Sequence, residues 1–122
     1  IHTLNKEKLR INDLGTHSSD QSVDYPLFAE KLCKKINSKN IRILICGTGI
    51  GMSTAANRYK NIRAALVSSV KTAVLSREHN NANILCIGSR FTSTKVAIKY
   101  ILSFLVTKFA GGRHLRRVKL LG

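Results

Sequence analysis

The stretch that decides the fold reads Ile41-Arg-Ile-Leu-Ile-Cys-Gly-Thr-Gly-Ile-Gly-Met-Ser53. Residues 41–46 are β-branched and nearly all apolar, a pattern typical of a strand that is buried on both faces at the centre of a parallel sheet. Three glycines at alternate positions follow at once, and residues 52–58 then have the pattern of a short helix. Open α/β sheets bind their ligands where a strand ends and a helix begins, so this stretch is also the first place to look for a site.

Strand and helix patterns alternate on both sides of this stretch. The pattern predicts a short strand over 9–14, a polar loop over 16–22, a helix from Asp24 to Asn37, strands over 62–67 and 84–87, a helix over 69–79, a long helix that Thr92 caps and that runs through Phe109 to Gly111, and a basic tail over 113–121. Such alternation implies right-handed crossovers and a parallel sheet covered on both faces. We therefore predict one domain over residues 1–122, a three-layer α/β/α sandwich with a Rossmann-like parallel sheet.

Size and charge narrow the class of protein. A chain of 122 residues is one domain in length, and 43% apolar residues are enough to fill a core. Lys and Arg number 21 against 6 Asp and Glu, and the net charge of +15 points to nucleic acid, an anionic membrane or anionic substrates. The longest apolar stretch, residues 100–106, is far short of the ~20 residues that a transmembrane helix needs, so no membrane partner is expected.

The cysteines indicate a reducing compartment. Cys33, Cys46 and Cys86 lie far apart with no CxxC spacing, and an odd number fits neither a disulfide framework nor a structural zinc site. Residues 1–6 lead into no apolar segment, so no secretory signal is visible. We expect a cytoplasmic protein with free thiols and no bound metal.

The glycine-rich loop after residue 46 is predicted to bind an anion. Glycines let backbone N–H groups turn toward an anion, and the N-terminus of the following helix adds partial positive charge. A tight turn alone needs fewer than three glycines. The spacing matches neither the dinucleotide fingerprint nor the P-loop, so nucleotide binding is not favoured.

Cys46 lies at the mouth of that loop and is the candidate base. A helix N-terminus and nearby positive charge both favour the thiolate, which could accept a proton. The alternative is that Cys46 packs as a small apolar residue, as we expect of Cys33 and Cys86.

Two further signals are weaker. His79 and Asn80 end a helix before a strand, where the imidazole could move protons or could merely complement the helix dipole. Arg113 and Arg117 are spaced i and i+4, so one helical turn would make them a phosphate clamp with Arg116 pointing elsewhere; the alternative is a solvated basic tail. His17 is interpreted as a solvated loop residue.

Several strings together resemble the type B ribose-5-phosphate isomerases, a family that includes galactose 6-phosphate and allose 6-phosphate isomerases. The match runs in order over residues 13–118. It is carried by Asp-Leu-Gly-Thr (13–16), Asp-Tyr-Pro (24–26), Ile-Leu-Ile-Cys-Gly-Thr-Gly-Ile-Gly-Met-Ser (43–53), Ala-Ala-Asn (55–57), Ile-Arg-Ala (62–64), Leu-Ser-Arg-Glu-His-Asn (75–80), Gly-Ser-Arg (88–90) and Gly-Gly-Arg-His-x-x-Arg-Val (111–118).

The resemblance implies aldose–ketose isomerisation through a cis-enediolate, no metal or organic cofactor, and a homodimer or dimer of dimers with sites at the dimer interface. It also implies a role for each matching residue: Cys46 as general base, Thr48 as its supporting hydroxyl, the amides of Gly47, Thr48, Gly49, Ile50, Gly51 and Ser53 as the enediolate cradle, His79 for ring opening, Asn80 for a sugar hydroxyl, Arg90, Arg113 and Arg117 for phosphate, and Tyr25 as a pocket wall.

Three departures leave alternatives open. Family members begin with a strand that ends in an Asp-His pair and leads into a helix, and neither appears before Ile11. We expect an incompletely represented chain, the alternative being a truncated relative without activity that binds polyanions. The last helix also looks short. Ribose 5-phosphate is the favoured substrate over a six-carbon sugar phosphate, and no nucleic-acid partner is expected because the basic residues are scattered and match no nucleic-acid motif.

Overall fold

The computed structural model describes residues 13–15, 24–34 and 42–122. Within them lie eight elements: α1 (Tyr25–Cys33), β1 (Arg42–Cys46), α2 (Ile50–Ala56), β2 (Ala64–Leu66), α3 (Val70–Asn80), β3 (Ile84–Gly88), α4 (Thr94–Val106) and α5 (Arg113–Leu120). The predicted loop with His17 and the helical turn up to Asn37 fall outside the described residues, as does most of the strand predicted over 9–14. None of the helices in the described ranges is long and apolar enough to cross a bilayer.

The three described strands form a parallel sheet in the order β1-β3-β2. Leu44 of β1 and Leu66 of β2 both align with Cys86, so β3 and not β1 is the middle strand of this sheet. The prediction that residues 41–46 form a central strand buried on both faces is therefore wrong for the described strands: Ile45 is 51% exposed. All five residues of β3 are buried, because this strand has a neighbour on each side and helices on each face.

Helices cover both faces of the sheet, which confirms the three-layer α/β/α sandwich. Successive β3 side chains point to opposite faces. Ile84 and Cys86 pack with buried residues of α1 and α2, whereas Leu85 and Ile87 pack with buried residues of α3 and α4. The two cores are separate, and β3 supplies both of them.

The ends of two helices differ from their predictions. Ser93, not Thr92, caps α4, and its hydroxyl accepts the Val96 N–H at 3.3 Å. The helix ends at Val106 instead of Gly111, so Phe109 lies beyond it. Asp24 stands at the N-cap of α1 as predicted, but its side chain makes no capping hydrogen bond.

Helix α2 is longer at its start than predicted, and the predicted basic tail is helical. α2 begins at Ile50, two residues before the predicted start, because Gly49 adopts φ +77° and turns the chain from strand to helix at once. The basic tail is a helix, α5, with no buried residue.

Candidate active site

The topology opens a crevice at the carboxyl ends of β1 and β3. β1 leads into α2 on one face of the sheet, and its neighbour β3 leads into α4 on the other face. Adjacent strands whose connections leave on opposite faces form the crevice in which open α/β sheets bind ligands. Two backbone hydrogen bonds join its rims: the Ser89 N–H donates to Cys46 O at 2.9 Å, and the Arg90 N–H donates to Gly47 O at 2.9 Å.

Close backbone packing explains two glycines at this crevice. A Cβ on Gly49 would lie 2.5 Å from Leu66 Cδ1 and 3.0 Å from the Gly88 nitrogen, and a Cβ on Gly88 would overlap the Thr48 carbonyl. The glycine-rich loop therefore lies directly against the end of β3, with no room for side chains between the two backbones.

The Cys46 sulfur faces into this loop. Its Sγ accepts the Gly49 N–H at 3.1 Å, and the residue is half-buried. A backbone donor aimed at the sulfur stabilises negative charge there. Thr48 lies in the same turn, where its hydroxyl accepts the Ile50 N–H at 3.2 Å.

Not all amides of the predicted cradle are free. The N–H groups of Gly49 and Ile50 are used as described above, and the Ser53 N–H donates to Gly49 O at 3.1 Å as the first helical bond. The prediction that the Ser53 amide contributes to the cradle is therefore wrong in this geometry. Gly51 and Met52 follow Ile50 in the first helical turn, and the amides of these two residues have no acceptor within the described residues. The Met52 amide was missed because its apolar side chain, which is buried in the core, gave no signal.

Arg90 and Tyr25 border the loop. A Cβ on Gly47 would lie 3.0 Å from Arg90 Nε, so the guanidinium lies over the start of the loop. A Cβ on Gly51 would lie 2.6 Å from the Tyr25 ring, which places the aromatic ring against the start of α2. Both side chains are exposed. They bring a cation and an aromatic wall to the mouth of the crevice.

His79 and Asn80 lie at the opposite edge of the sheet. They end α3, and the next residue, Asn81, accepts a hydrogen bond from Arg63 Nε at 2.9 Å through its carbonyl. Arg63 immediately precedes β2, so this is the edge where strands begin. The five residues of β3 separate this edge from the Cys46 edge, a span of about 13 Å at the usual rise per strand residue.

α5 packs at the His79 end. The rings of His79 and His114 stack with centroids 4.3 Å apart and an interplanar angle of 14°, and the Ala110 N–H donates to Glu78 O at 3.0 Å. Arg113 and Arg117 therefore lie near His79. Arg116 and Leu120 line the same shallow depression as these two arginines, so the prediction that Arg116 points elsewhere is wrong.

His114 is a second residue that the sequence pattern did not single out. Its pKa is lowered by partial burial first, and then by His79, Arg113 and Arg117. The signal was present in the Gly-Gly-Arg-His string, but nothing in the sequence placed that histidine against His79.

One chain thus arranges the predicted residues in two groups. The loop cluster contains Tyr25, Cys46, Gly47, Thr48, Gly49, Ile50, Gly51, Ser53 and Arg90. The helix-end cluster contains His79, Asn80, Arg113 and Arg117. Within the chain the structure does not bring the two clusters together.

Known proteins that resemble this chain are sugar-phosphate isomerases. The model of the ribose/galactose isomerase family matches residues 1–121. The chain belongs to this family. It is similar to a probable ribose-5-phosphate isomerase B of Mycoplasma genitalium, 46% identical over 118 residues that cover 94% of this chain and 78% of the relative. It is also similar to ribose-5-phosphate isomerase B of Escherichia coli, 39% identical over 91% of this chain and 75% of the relative.

Solved structures of this family superpose closely. Ribose 5-phosphate isomerase B from Anaplasma phagocytophilum has a TM-score of 0.93 at 47% identity and covers 99% of this chain and 83% of its own. The Mycoplasma genitalium enzyme with bound ribulose-5-phosphate has a TM-score of 0.87 at 44% identity over 98% of this chain and 81% of its own. The chain thus spans about four fifths of the length of these two structures, and the family resemblance of the sequence is confirmed.

The other two thiols of this family member are buried, as predicted. Burial raises the pKa of Cys33, against a smaller opposing effect of Arg42. Burial, helped by the nearby Cys46 and Cys33, raises the pKa of Cys86 to about 12. Both thiols are therefore neutral at physiological pH. In the described ranges, no group of three or more His, Cys, Asp or Glu side chains could hold a metal ion.

Proposed function

We propose that this protein interconverts ribose 5-phosphate and ribulose 5-phosphate as an aldose–ketose isomerase. The observation that carries the proposal is the hydrogen bond from the Gly49 amide to the Cys46 sulfur, which places a backbone donor on the sulfur of the proposed base. Membership of the isomerase family, and relatives named ribose-5-phosphate isomerase B, support this substrate.

The proposed reaction transfers one proton between neighbouring carbons. The Cys46 thiolate removes the proton from C2 of the open-chain aldose, and the electron pair of that bond forms the C1–C2 double bond of a cis-enediolate. The negative charge moves to the former carbonyl oxygen, where backbone donors such as the Gly51 and Met52 amides stabilise it. The Cys46 thiol then returns the proton to C1, the C2 hydroxyl passes its proton to the negatively charged O1 and becomes the carbonyl, and the thiolate is restored.

The chemistry needs no external oxidant or reductant, because one carbon of the substrate is reduced as its neighbour is oxidised. For this reason we propose that the reaction uses no cofactor. Thr48 supports the thiolate from the same turn, and Tyr25 forms a wall of the pocket.

We also propose that the complete site forms between two copies of the chain in a homodimer. The loop cluster holds the base and Arg90, whereas ring opening and the remaining phosphate contacts fall to His79, Asn80, Arg113 and Arg117 in the helix-end cluster. The proposal is supported by the strand length that separates the clusters within one chain. A second copy in antiparallel orientation would set the helix-end cluster of each subunit beside the loop cluster of the other. We further propose that the enzyme acts in the cytoplasm, in pentose phosphate metabolism.

A coupled assay for ribulose 5-phosphate tests the activity. We expect Cys46→Ala to lower kcat by about 10²- to 10⁴-fold, the contribution typical of a general base. Cys33→Ala is the matched control, because that thiol is buried and neutral in α1. Full activity of Cys46→Ala would contradict the base assignment.

Two parallel measurements test the alternatives. An assay of galactose 6-phosphate beside ribose 5-phosphate decides between six- and five-carbon substrates. Faster turnover of galactose 6-phosphate would contradict the proposed substrate. Binding of duplex DNA at low salt without any isomerase turnover would favour the inactive polyanion-binding relative.

A further inference from the structure

Three consecutive residues at the end of α3 contact the chain that leads into α5. Arg77 Nε donates to Thr107 O at 3.2 Å, Glu78 O accepts the Ala110 N–H at 3.0 Å, and the His79 ring stacks on His114. These contacts fix the register of α5 along α3. Of the three contacts, the one from Arg77 to Thr107 O is made by a charged side chain.

The Arg77 guanidinium also closes the turn that follows His79 and Asn80. Its NH1 donates to Asn81 Oδ1 at 2.9 Å and to Ala82 O at 2.6 Å. Its carbon Cζ lies 5.6 Å from the centre of the Phe104 ring, on the α4 side. Burial, followed by repulsion from Arg63, lowers the pKa of Arg77, as expected for a partly buried guanidinium.

Arg77 thus connects the two parts of the helix-end cluster, His79 and Asn80 at the end of α3 and Arg113 and Arg117 on α5. Its Nε donates to the segment that precedes Arg113, and its NH1 donates to the turn that follows Asn80. A planar group with fixed donors can do this, whereas a lysine has one donor head that cannot reach all three oxygens.

We infer that Arg77 is a positioning residue that sets the arginines of α5 at the correct distance from His79 and Asn80. This inference rests on the proposed function, because it assigns those four residues to the substrate. Arg77 itself does not touch the substrate. Its effect is on where the phosphate and the sugar ring are held relative to the loop cluster of the other copy.

Steady-state kinetics of Arg77→Lys on ribose 5-phosphate test the inference. A displacement of about 1 Å in a group that positions the substrate can lower the rate about 10²-fold. We therefore expect kcat/KM to fall roughly 10- to 100-fold. Most of the loss should be a rise in KM, because the arginines of α5 that are displaced bind the phosphate, whereas Cys46 itself is not altered. A merely structural role would lower the thermal midpoint and leave KM of the folded enzyme unchanged.

Arg63→Lys is the matched control. Arg63 is also a half-buried guanidinium whose Nε donates to the same turn, at Asn81 O, but within the described part of the chain no hydrogen bond joins its side chain to residues 107–114. We expect a similar change of thermal midpoint and a KM within about twofold of wild type, the scatter expected for a side chain outside the site. Equal KM values in the two variants would overturn the inference.

A milder variant covers the case in which Arg77→Lys does not fold. Asn81 has φ +47°, so Asn81→Gly keeps the turn and removes one acceptor of Arg77. A raised KM supports the inference, and an unchanged KM overturns it. Wild-type protein without any isomerase turnover would contradict the proposed function as well, whereas active wild type with an unaffected Arg77→Lys overturns the inference alone.

Discussion

Gly49 donates its backbone N–H to the sulfur of Cys46 across 3.1 Å, and both residues belong to one tight turn between β1 and α2. The same glycine has φ +77° and lies against the end of β3. One residue therefore orients the donor on the sulfur, starts the helix and closes the crevice.

Substitution of Gly49 by Ala should damage both stability and activity. A positive φ costs an alanine about 1–2 kcal/mol, and the added Cβ would also collide with Leu66 and the Gly88 backbone. Gly111→Ala is the control, because Gly111 has φ +67° but open space around its Cβ position. Urea denaturation should show a larger loss of unfolding free energy for Gly49→Ala than for Gly111→Ala. Equal losses would mean that the close packing is unimportant.

Mixing two inactive variants should restore activity if the site is shared. In a mixed dimer of Cys46→Ala and His79→Ala, one of the two sites combines an intact Cys46 with an intact His79. Random reassortment makes half of the dimers mixed, so we expect about one quarter of wild-type activity after the variants are unfolded and refolded together. Each variant refolded separately is the control. No recovery in the mixture would contradict the shared site.

Thiol labelling should single out Cys46. In the native protein, iodoacetamide at pH 8 should modify the half-buried Cys46 and spare Cys33 and Cys86, whose burial and raised pKa values keep them neutral. Mass spectrometry of tryptic peptides should find one modified residue before, and three after, unfolding in urea. Isomerase activity should disappear in step with Cys46 labelling. Native labelling of Cys86 at a comparable rate would disagree with the packing of β3.

The His79–His114 stack should respond to pH in a defined direction. A His114 pKa below the ordinary value of 6.5 means that the folded state resists protonation, so the stability that it contributes is present above pH 6.5 and is lost as the pH falls through the lowered pKa. NMR titration of the His114 ring should give a midpoint below 6.5. The midpoint should rise in Arg117→Gln, since that arginine opposes the charge. A midpoint at or above 6.5 in the wild type would refute the burial of this ring against His79.

Residue patterns at short spacing predicted much of the fold. The alternation of apolar runs and helical patterns predicted the elements from Arg42 to Val106 in the correct order, and three alternating glycines located the crevice. Two wrong predictions arose because two residues or two segments have the same local pattern. Thr92 and Ser93 are both able to cap α4, and the apolar runs of β1 and β3 are equally typical of a central strand. Among the described strands, the order β1-β3-β2 decides the second case, and no local pattern contains that order.

The sequence alone was enough to establish the α/β/α class, the glycine turn that carries Cys46 and the family, because each depends on residue types at short spacing. The relation between the candidate site residues came from tertiary structure. α3 runs back along the sheet, so its last residues lie one strand length from Cys46, and the stack on His114 brings Arg113 and Arg117 to that same distant end. Chain direction and packing between remote segments set these positions, and spacing along the sequence does not encode either of them.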